Sequence, residues 1–410
     1  MGALEGFRVV ELGMWAAGPG AGGVLADWGA DVVKIEPPGG DPMRVLYSAM
    51  AGSSERRCPP FDLLNRGKRS VAVDLSTEEG VKVAERLIAG ADVFLTNMRP
   101  KFLRRVGLDP ERLTERYPRL VYALLTGYGL TGPDRDAPGY DVAAFSARSG
   151  ASARSTPPGQ PPVALVTGMG DLMTGMTTAG AVSAALLQRE RTGKGQVVST
   201  SLLRTGAYAV GLQIATRAGL GRLAPPPGRT AAVNPMFNSY RAGDGHWFWL
   251  IGAEAERHWP DLLAAAKDPR LEDERFATTR GRRTNAEELV TILDDVFASR
   301  DRAQWARDFD EHDVWWAPVN SVEDLLEDPQ AIAAGVFVDM PGGDGVLRSV
   351  ATPVDFGADE IPMQAAPAIG ADTDAVLREL GVEDTELDRL REAGVIRSAE
   401  APELVQEGGR

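Results

Sequence analysis

Five short runs rich in β-branched residues fill the first 130 residues: RVVEL (8–12), DVVKIE (31–36), SVAVDL (70–75), DVFLTN (92–97) and LVYALLTGYG (120–129). Between several of them lie helical stretches such as AGGVLADWG and STEEGVKVAERLIAG. Strand–helix alternation predicts a parallel sheet with helices packed on it. The right-handed hand of such crossovers makes the expected layer doubly wound and Rossmann-like.

The rest of the chain changes character twice, and with its 410 residues it predicts an α/β protein of two or three domains. Residues 130–165, rich in Gly, Pro and Ser, read as ordered loop. A helix is expected from about Leu172 to Arg189, ended by Gly193 and Gly195, then a strand in QVVSTSLL and more helix to about Gly219. LAPPPGRT (223–230) is a break. RAGDGHWFWLIG reads as a hairpin turning at Gly243-Asp244-Gly245, and NAEELVTILDDVFASR as a helix, which together suggest a smaller α+β domain. The tail returns to strand-like pieces (GVFVDM, VLRSV) and a short helix (DTDAVLRELG). The expected division is 1–222 for a large Rossmann-like domain, 223–320 for the small one with its linkers, and 321–410 for a segment returning to the large domain, whose parallel sheet then draws on both N- and C-terminal segments.

Composition excludes several functions. A formal charge of −14 argues against general nucleic-acid binding. No apolar run approaches the roughly 20 residues that cross a bilayer, so no membrane partner is expected. MGALEGFRVVEL lacks a basic segment followed by an apolar one, and Gly6 stands where myristoylation wants Ser or Thr. Cys58 is the one cysteine, so no internal disulfide forms and a cytoplasmic location is the default. Local basic patches at Asn65-Arg66-Gly67-Lys68-Arg69 and at Arg99, Lys101, Arg104 and Arg105 still suit an anionic small ligand, although each reads equally as a solvated face.

Familiar catalytic devices are missing. Gly18-Pro19-Gly20-Ala21-Gly22-Gly23 fits G-x-G-x-x-G, with Glu36 where a ribose-binding acid belongs, but the glycines start six residues after Leu12 and Pro19 removes an N–H from the turn. His246, His258 and His312 have no metal-ligand spacing, so no metal is expected. Neither G-x-S-x-G nor a phosphate-binding G-x-x-x-x-G-K-[ST] occurs. Chemistry is left to carboxylates, and Asp171 in GMGDLMTGM draws notice. Locally it reads as an N-cap. The same place suits a nucleophile, since a helix dipole favours the ionised form and flanking glycines admit a substrate and supply N–H groups for an oxyanion.

Seven blocks, in order, resemble the family III CoA-transferases, the CaiB/BaiF family: LEGFRVVELGMWAAGPGAGGVLADWGADVVKIEPPGGDPMR, NRGKRSVAVDLSTEEG, ADVFLTNMRPKFLRRVGLD, PRLVYALLTGYGLTGPDRDAPGYD, GDLMTG, RERTGKGQVV and APVNSVEDLLEDPQ. The resemblance spans nearly the whole chain. It implies a CoA-transferase that carries CoA from an acyl-CoA to a free carboxylic acid, with Asp171 as nucleophile, no cofactor beyond CoA as co-substrate, and an interlocked homodimer. It also implies CoA contacts at Ala17, Val73, Asn97, Met98 and Arg99, a phosphate contact at Arg105, and Tyr140 and Asp141 beside the thioester. Arginine forks suit phosphate oxygens on physical grounds as well.

Departures from the formate–oxalate branch of the family are equally specific. Pro37 replaces an arginine, Ala16 a glutamine, and a tetraglycine loop is absent near IGAEAE (251–256), so oxalate and formate are poor substrates to expect; Trp15 and Ala16 suggest a less polar acyl pocket. Two other readings stay open. The 2-methylacyl-CoA racemases of this fold carry G-H-D where this chain has Gly139-Tyr140-Asp141, and tyrosine is a poor base at neutral pH. A non-catalytic subunit of a heteromeric transferase is the third.

Overall fold

The structure is a computed structural model, and it describes residues 2–46, 58–226, 228–342, 345–357 and 363–399. The chain divides into two compact units: residues 1–153, 163–219 and 335–410 form the larger, and 154–162 with 220–334 the smaller.

Among the described residues the larger unit holds a seven-stranded sheet in the order β12-β3-β2-β1-β4-β5-β6. Its strands are β1 (Arg8–Leu12), β2 (Asp31–Glu36), β3 (Arg69–Val73), β4 (Val93–Thr96), β5 (Val121–Thr126), β6 (Val197–Ser201) and β12 (Ile396–Arg397). The first six pair in parallel. The tail adds only β12, which pairs antiparallel with β3 through Ile396 and Val73. The C-terminal segment thus contributes an edge strand and not a parallel one.

Alternation along each strand explains the two helical layers. Val10, Val33, Phe94 and Tyr122 face one core, shared with Val83, Leu87 and Ile88 of helix Glu78–Ala89 and with Val376 and Leu390 of the tail. Val9, Val32, Leu95 and Ala123 face the other, shared with helix α1 (Ala17–Asp27) and helix α2 (Met169–Thr192). Each fully buried aliphatic side chain contributes about 1.5–3 kcal/mol of transfer free energy. Helices α1 and α2 approach closely because Gly175 has no side chain; a Cβ there would lie 3.0 Å from the Ala17 carbonyl oxygen and the Ala21 nitrogen. Residues 130–165, read from sequence as loop, include a π-helical turn, Asp141–Ala147, and a short helix, Ala151–Ser155.

In the smaller unit β7 (Phe237–Arg241), β8 (Trp247–Ile251) and β9 (Trp316–Pro318) pair antiparallel over an aromatic core of Tyr240, Phe248, Phe297, Trp305 and Phe309. Strands β10 (Phe337–Gly342) and β11 (Gly345–Val350) form a separate hairpin in the larger unit.

Candidate functional site

Strand β1 lies between β2 and β4, so the chain winds outward in opposite directions from it. That reversal is a topological switch point, and ligands of open α/β sheets bind at the carboxyl ends of the strands there. A cleft of about 300 Å³ occupies this place. Its walls are Met14–Ala17 after β1, Asn97–Pro100 after β4, Leu125–Gly127 at the end of β5, and Arg135, Ala137–Tyr140, Asp171 and Leu202.

Asn97 ties two of these walls together. Its amide donates to the Met14 carbonyl at 2.8 Å and its oxygen accepts the Met14 N–H at 3.0 Å. Gly18 is required beneath it, since a Cβ would lie 2.8 Å from the Asn97 carboxamide carbon. Trp15 follows with φ of 66°, a left-handed conformation unusual for a bulky residue.

Of the residues expected to touch CoA, the structure brings Ala17, Asn97, Met98, Arg99 and Tyr140 to the cleft. Arg99 is exposed there, immediately before the helix Pro100–Val106. Val73 is not brought to it: its side chain is buried in the core. Arg105 lies on the outer surface of its helix, its guanidinium over the Phe102 ring at 5.2 Å, and does not line the cleft. Arg135 does line it, exposed, and sequence reasoning missed it because a single arginine in a loop has no distinguishing spacing.

Helix α2 begins earlier than its sequence suggested. Its N-cap is Gly168, with φ of 80°, and Asp171 is the third helical residue. Asp171 is therefore not the cap. The cap comes from Asp141, whose carboxylate accepts the Gly168 N–H at 2.8 Å and the Gly170 N–H at 3.1 Å. Gly170 admits this approach, because a Cβ there would sit 2.2 Å from Cγ of Phe145 and 2.3 Å from Asp141 Oδ1. The Gly168 and Gly170 N–H groups, expected to face an oxyanion, are thus occupied by Asp141.

The Asp171 carboxylate, by contrast, accepts no hydrogen bond and forms no ion pair among the described residues. Burial first, and then the Asp141 charge nearby, push its pKa up to about 7. That burial opposes the helix terminus, which favours the ionised form. Burial also raises Asp141, against the two N–H bonds that lower it. A poorly solvated, unpaired carboxylate on a ligand cleft is a more basic and more reactive oxygen nucleophile than one in water.

A buried ionic network lies under the cleft. Lys34 Nζ contacts Glu11 Oε1 and Asp41 Oδ2, each at 3.0 Å, and donates to the Gly13 carbonyl at 2.7 Å. Lys68 Nζ donates to Glu11 Oε2 at 2.6 Å. Burial alone raises the Glu11 carboxyl, but the two lysines overcome it and hold it below the usual range. Burial lowers Lys68 to about 8. Glu36 is buried and accepts from two guanidinium nitrogens of Arg44, Nε at 2.8 Å and Nη2 at 2.7 Å, so it is not free to bind a ribose. The glycine run 18–23 lies within α1 and forms no phosphate-binding turn. Among the described residues no group of His, Cys, Asp and Glu is placed to hold a metal ion, and no helix is long and apolar enough to cross a membrane.

Fold and site define an α/β enzyme with a ligand cleft at the switch point, an unpaired carboxylate, and arginines at hand for an anionic ligand. The model of CoA-transferase family III matches residues 4–373, and the chain belongs to that family. It is similar to the (R)-2-hydroxy-4-methylpentanoate CoA-transferase of Clostridioides difficile, 32% identical over 96% of this chain and 99% of that one. It is also similar to the cinnamoyl-CoA:phenyllactate CoA-transferase of Clostridium sporogenes, 34% identical over 94% and 95%. A crystal structure of a CaiB/BaiF family protein from Brucella suis superposes with a TM-score of 0.83, at 31% identity, covering 92% of this chain and 99% of that one. The chain is accordingly a CoA-transferase, acting on acyl-CoA and carboxylate substrates.

Proposed function

We propose that this enzyme moves CoA from an acyl-CoA to a free carboxylic acid through covalent intermediates on Asp171. The observation that carries the reading is the division of labour between two aspartates: Asp141 caps helix α2, and the Asp171 carboxylate is left unpaired on the cleft.

An Asp171 oxygen attacks the thioester carbonyl; the C–S bond breaks, CoA thiolate leaves, and an acyl-aspartyl anhydride forms. The thiolate attacks the aspartyl carbonyl, giving an aspartyl-CoA thioester and releasing the first acid as its carboxylate. The incoming carboxylate attacks that thioester and again expels the thiolate. The thiolate then attacks the new acyl carbonyl, which forms the product thioester and frees Asp171. Each step exchanges one activated acyl for another, so the cycle is close to balanced without ATP. Arg99 and Arg135 offer the cleft's exposed guanidinium groups to the CoA phosphates.

CoA enters as co-substrate, with no further cofactor or metal. Trp15 and Ala16 at the cleft, and the acids named for the two curated relatives, support apolar acyl groups over oxalate or formate. A homodimer is the proposed assembly: helix Gly211–Leu220 buries no residue, and Tyr208 before it is 88% exposed. The proposed location is cytoplasmic.

Mass spectrometry after brief incubation with a panel of acyl-CoAs tests the mechanism. The expected result is an acyl or CoA adduct on the peptide carrying Asp171, absent in Asp171→Ala. Tight CoA binding with no adduct from any donor overturns the reading in favour of a non-catalytic subunit. Exchange of the α-proton in deuterium oxide without an acceptor acid overturns it in favour of a racemase.

A further inference from the structure

The loop after β1 is held at every residue. Lys34 donates to the Gly13 carbonyl, Asn97 grips both polar groups of the Met14 backbone, Asp41 accepts the Trp15 N–H at 3.1 Å, and the Gly20 N–H donates to the Ala16 carbonyl at 2.7 Å. Lys34 and Asp41 are themselves fully buried and 3.0 Å apart, so the clamp has little freedom. Its product is the left-handed Trp15, a conformation that persists in a bulky residue only when its surroundings over-determine it. Trp15 remains 39% exposed, on the cleft that Asp171 lines. Helix α1, which continues from the loop, abuts the Asp171 helix, with Gly20 close to the Leu172 side chain and Ala17 close to Gly175. Its chain neighbours on the cleft, Met14, Ala16 and Ala17, carry no charge; the charged lining residues, Arg99, Arg135 and Asp171, come from other segments.

We propose that Trp15 is a specificity-determining residue whose indole forms the apolar wall against which the acyl group packs, and that Lys34 and Asp41 are positioning residues that hold it there. The proposal rests on the transfer reaction given above and assigns its apolar acyl preference to one side chain, which selects CoA thioesters of branched or aromatic apolar acids.

The test is isotope exchange between each acyl-CoA and its own labelled free acid. CoA leaves one acyl group and joins an identical labelled one, so no knowledge of the natural acceptor is needed. The probes are acetyl-CoA with acetate and 4-methylpentanoyl-CoA with 4-methylpentanoate. In Trp15→Gly the glycine takes the left-handed backbone without strain, so the fold is kept and only the indole is lost. The expected result is a fall of at least about tenfold in kcat/KM for 4-methylpentanoyl exchange relative to acetyl exchange, with no drop in Tm. Asp41→Ala is expected to move the same ratio in the same direction. An unchanged ratio in Trp15→Gly, or a shift toward the larger donor, overturns the proposal; if Asp41→Ala folds and leaves the ratio alone, the positioning part falls. A wild-type protein inert toward both donors, and equally toward cinnamoyl-CoA with cinnamate, overturns the transfer reaction and this proposal together, whereas an active wild type with an indifferent Trp15→Gly overturns this proposal alone.

Discussion

The Asp141 carboxylate accepts the N–H of Gly168 at 2.8 Å, across 27 residues of sequence, and so supplies the cap of the helix that bears Asp171. Two carboxylates therefore share one helix start. One is hydrogen-bonded and the other is not, and their charges oppose each other.

The pH dependence of transfer follows from that pairing. In the proposed mechanism the reactive form of Asp171 is the carboxylate; with its pKa pushed up to about 7, kcat/KM is expected to rise as pH increases through about 7 and then level off. Asp141→Asn removes the second cause of the shift while burial, the larger one, remains. The midpoint of the profile is expected to move to lower pH, by less than the full displacement from 3.8. A profile that stays in place in Asp141→Asn contradicts the coupling.

Asp171 also lowers stability at high pH. Its folded-state pKa is raised above the unfolded value of 3.8, so the penalty is absent below about pH 4, develops as pH rises, and is complete above about pH 7. The full shift corresponds to about 4 kcal/mol at 1.36 kcal/mol per unit, and partial solvent access reduces this to roughly 2 kcal/mol. Asp171→Asn is expected to be more stable than wild type by that amount at pH 8 and equal to it at pH 4, in urea titrations at each pH.

Gly170→Ala forces a methyl group onto the Phe145 ring and the Asp141 carboxylate. Overpacking of this kind costs about 1–3 kcal/mol. It also displaces the cap, so transfer is expected to fall more than stability alone accounts for. Gly180→Ala, on the same helix with open space around it, serves as the control and is expected to fold and react normally. Denaturation midpoints measured beside initial rates separate the two effects.

Glu11 is the acid shared by Lys34 and Lys68, and all three are buried. Removing one partner from a buried ion pair typically costs about 3–5 kcal/mol, because it leaves charge uncompensated. Glu11→Gln is expected to lose a comparable amount, read from the shift in urea midpoint. A loss below about 1 kcal/mol would show that the lysines find other acceptors or deprotonate.

Arg99→Ala and Arg135→Ala are each expected to weaken CoA binding several-fold, as for exposed charge contacts of about 1 kcal/mol. The difference from wild type is expected to shrink as salt rises. Calorimetric titration at low and high ionic strength checks both.

The sheet was legible in the sequence because each strand's signal is carried by adjacent residues. RVVEL, DVVKIE and the later β-branched runs became β1 to β5 with ends shifted by a few residues, and the helix STEEGVKVAERLIAG is capped by its own Thr77. Asp171 was legible as a residue of interest through GDLMTG, but its role as a cap was misread. The true cap comes from Asp141, and no local pattern contains a contact between residues so far apart. Likewise the glycines at 18–23 match a phosphate-binding pattern in one dimension but lie inside α1, where they let Asn97 and Leu64 approach.

By itself, then, the sequence determined the alternation of strands and helices, the aspartate worth testing and the family resemblance, because periodicity and short motifs are properties of neighbouring residues. Only the tertiary structure decided which aspartate caps and which is left unpaired. It also decided that Arg135 reaches the cleft and Val73 does not, and that Lys34 and Asp41 hold Trp15 in a left-handed turn. Burial, charge coupling and backbone clamping arise between groups that the chain brings together only on folding.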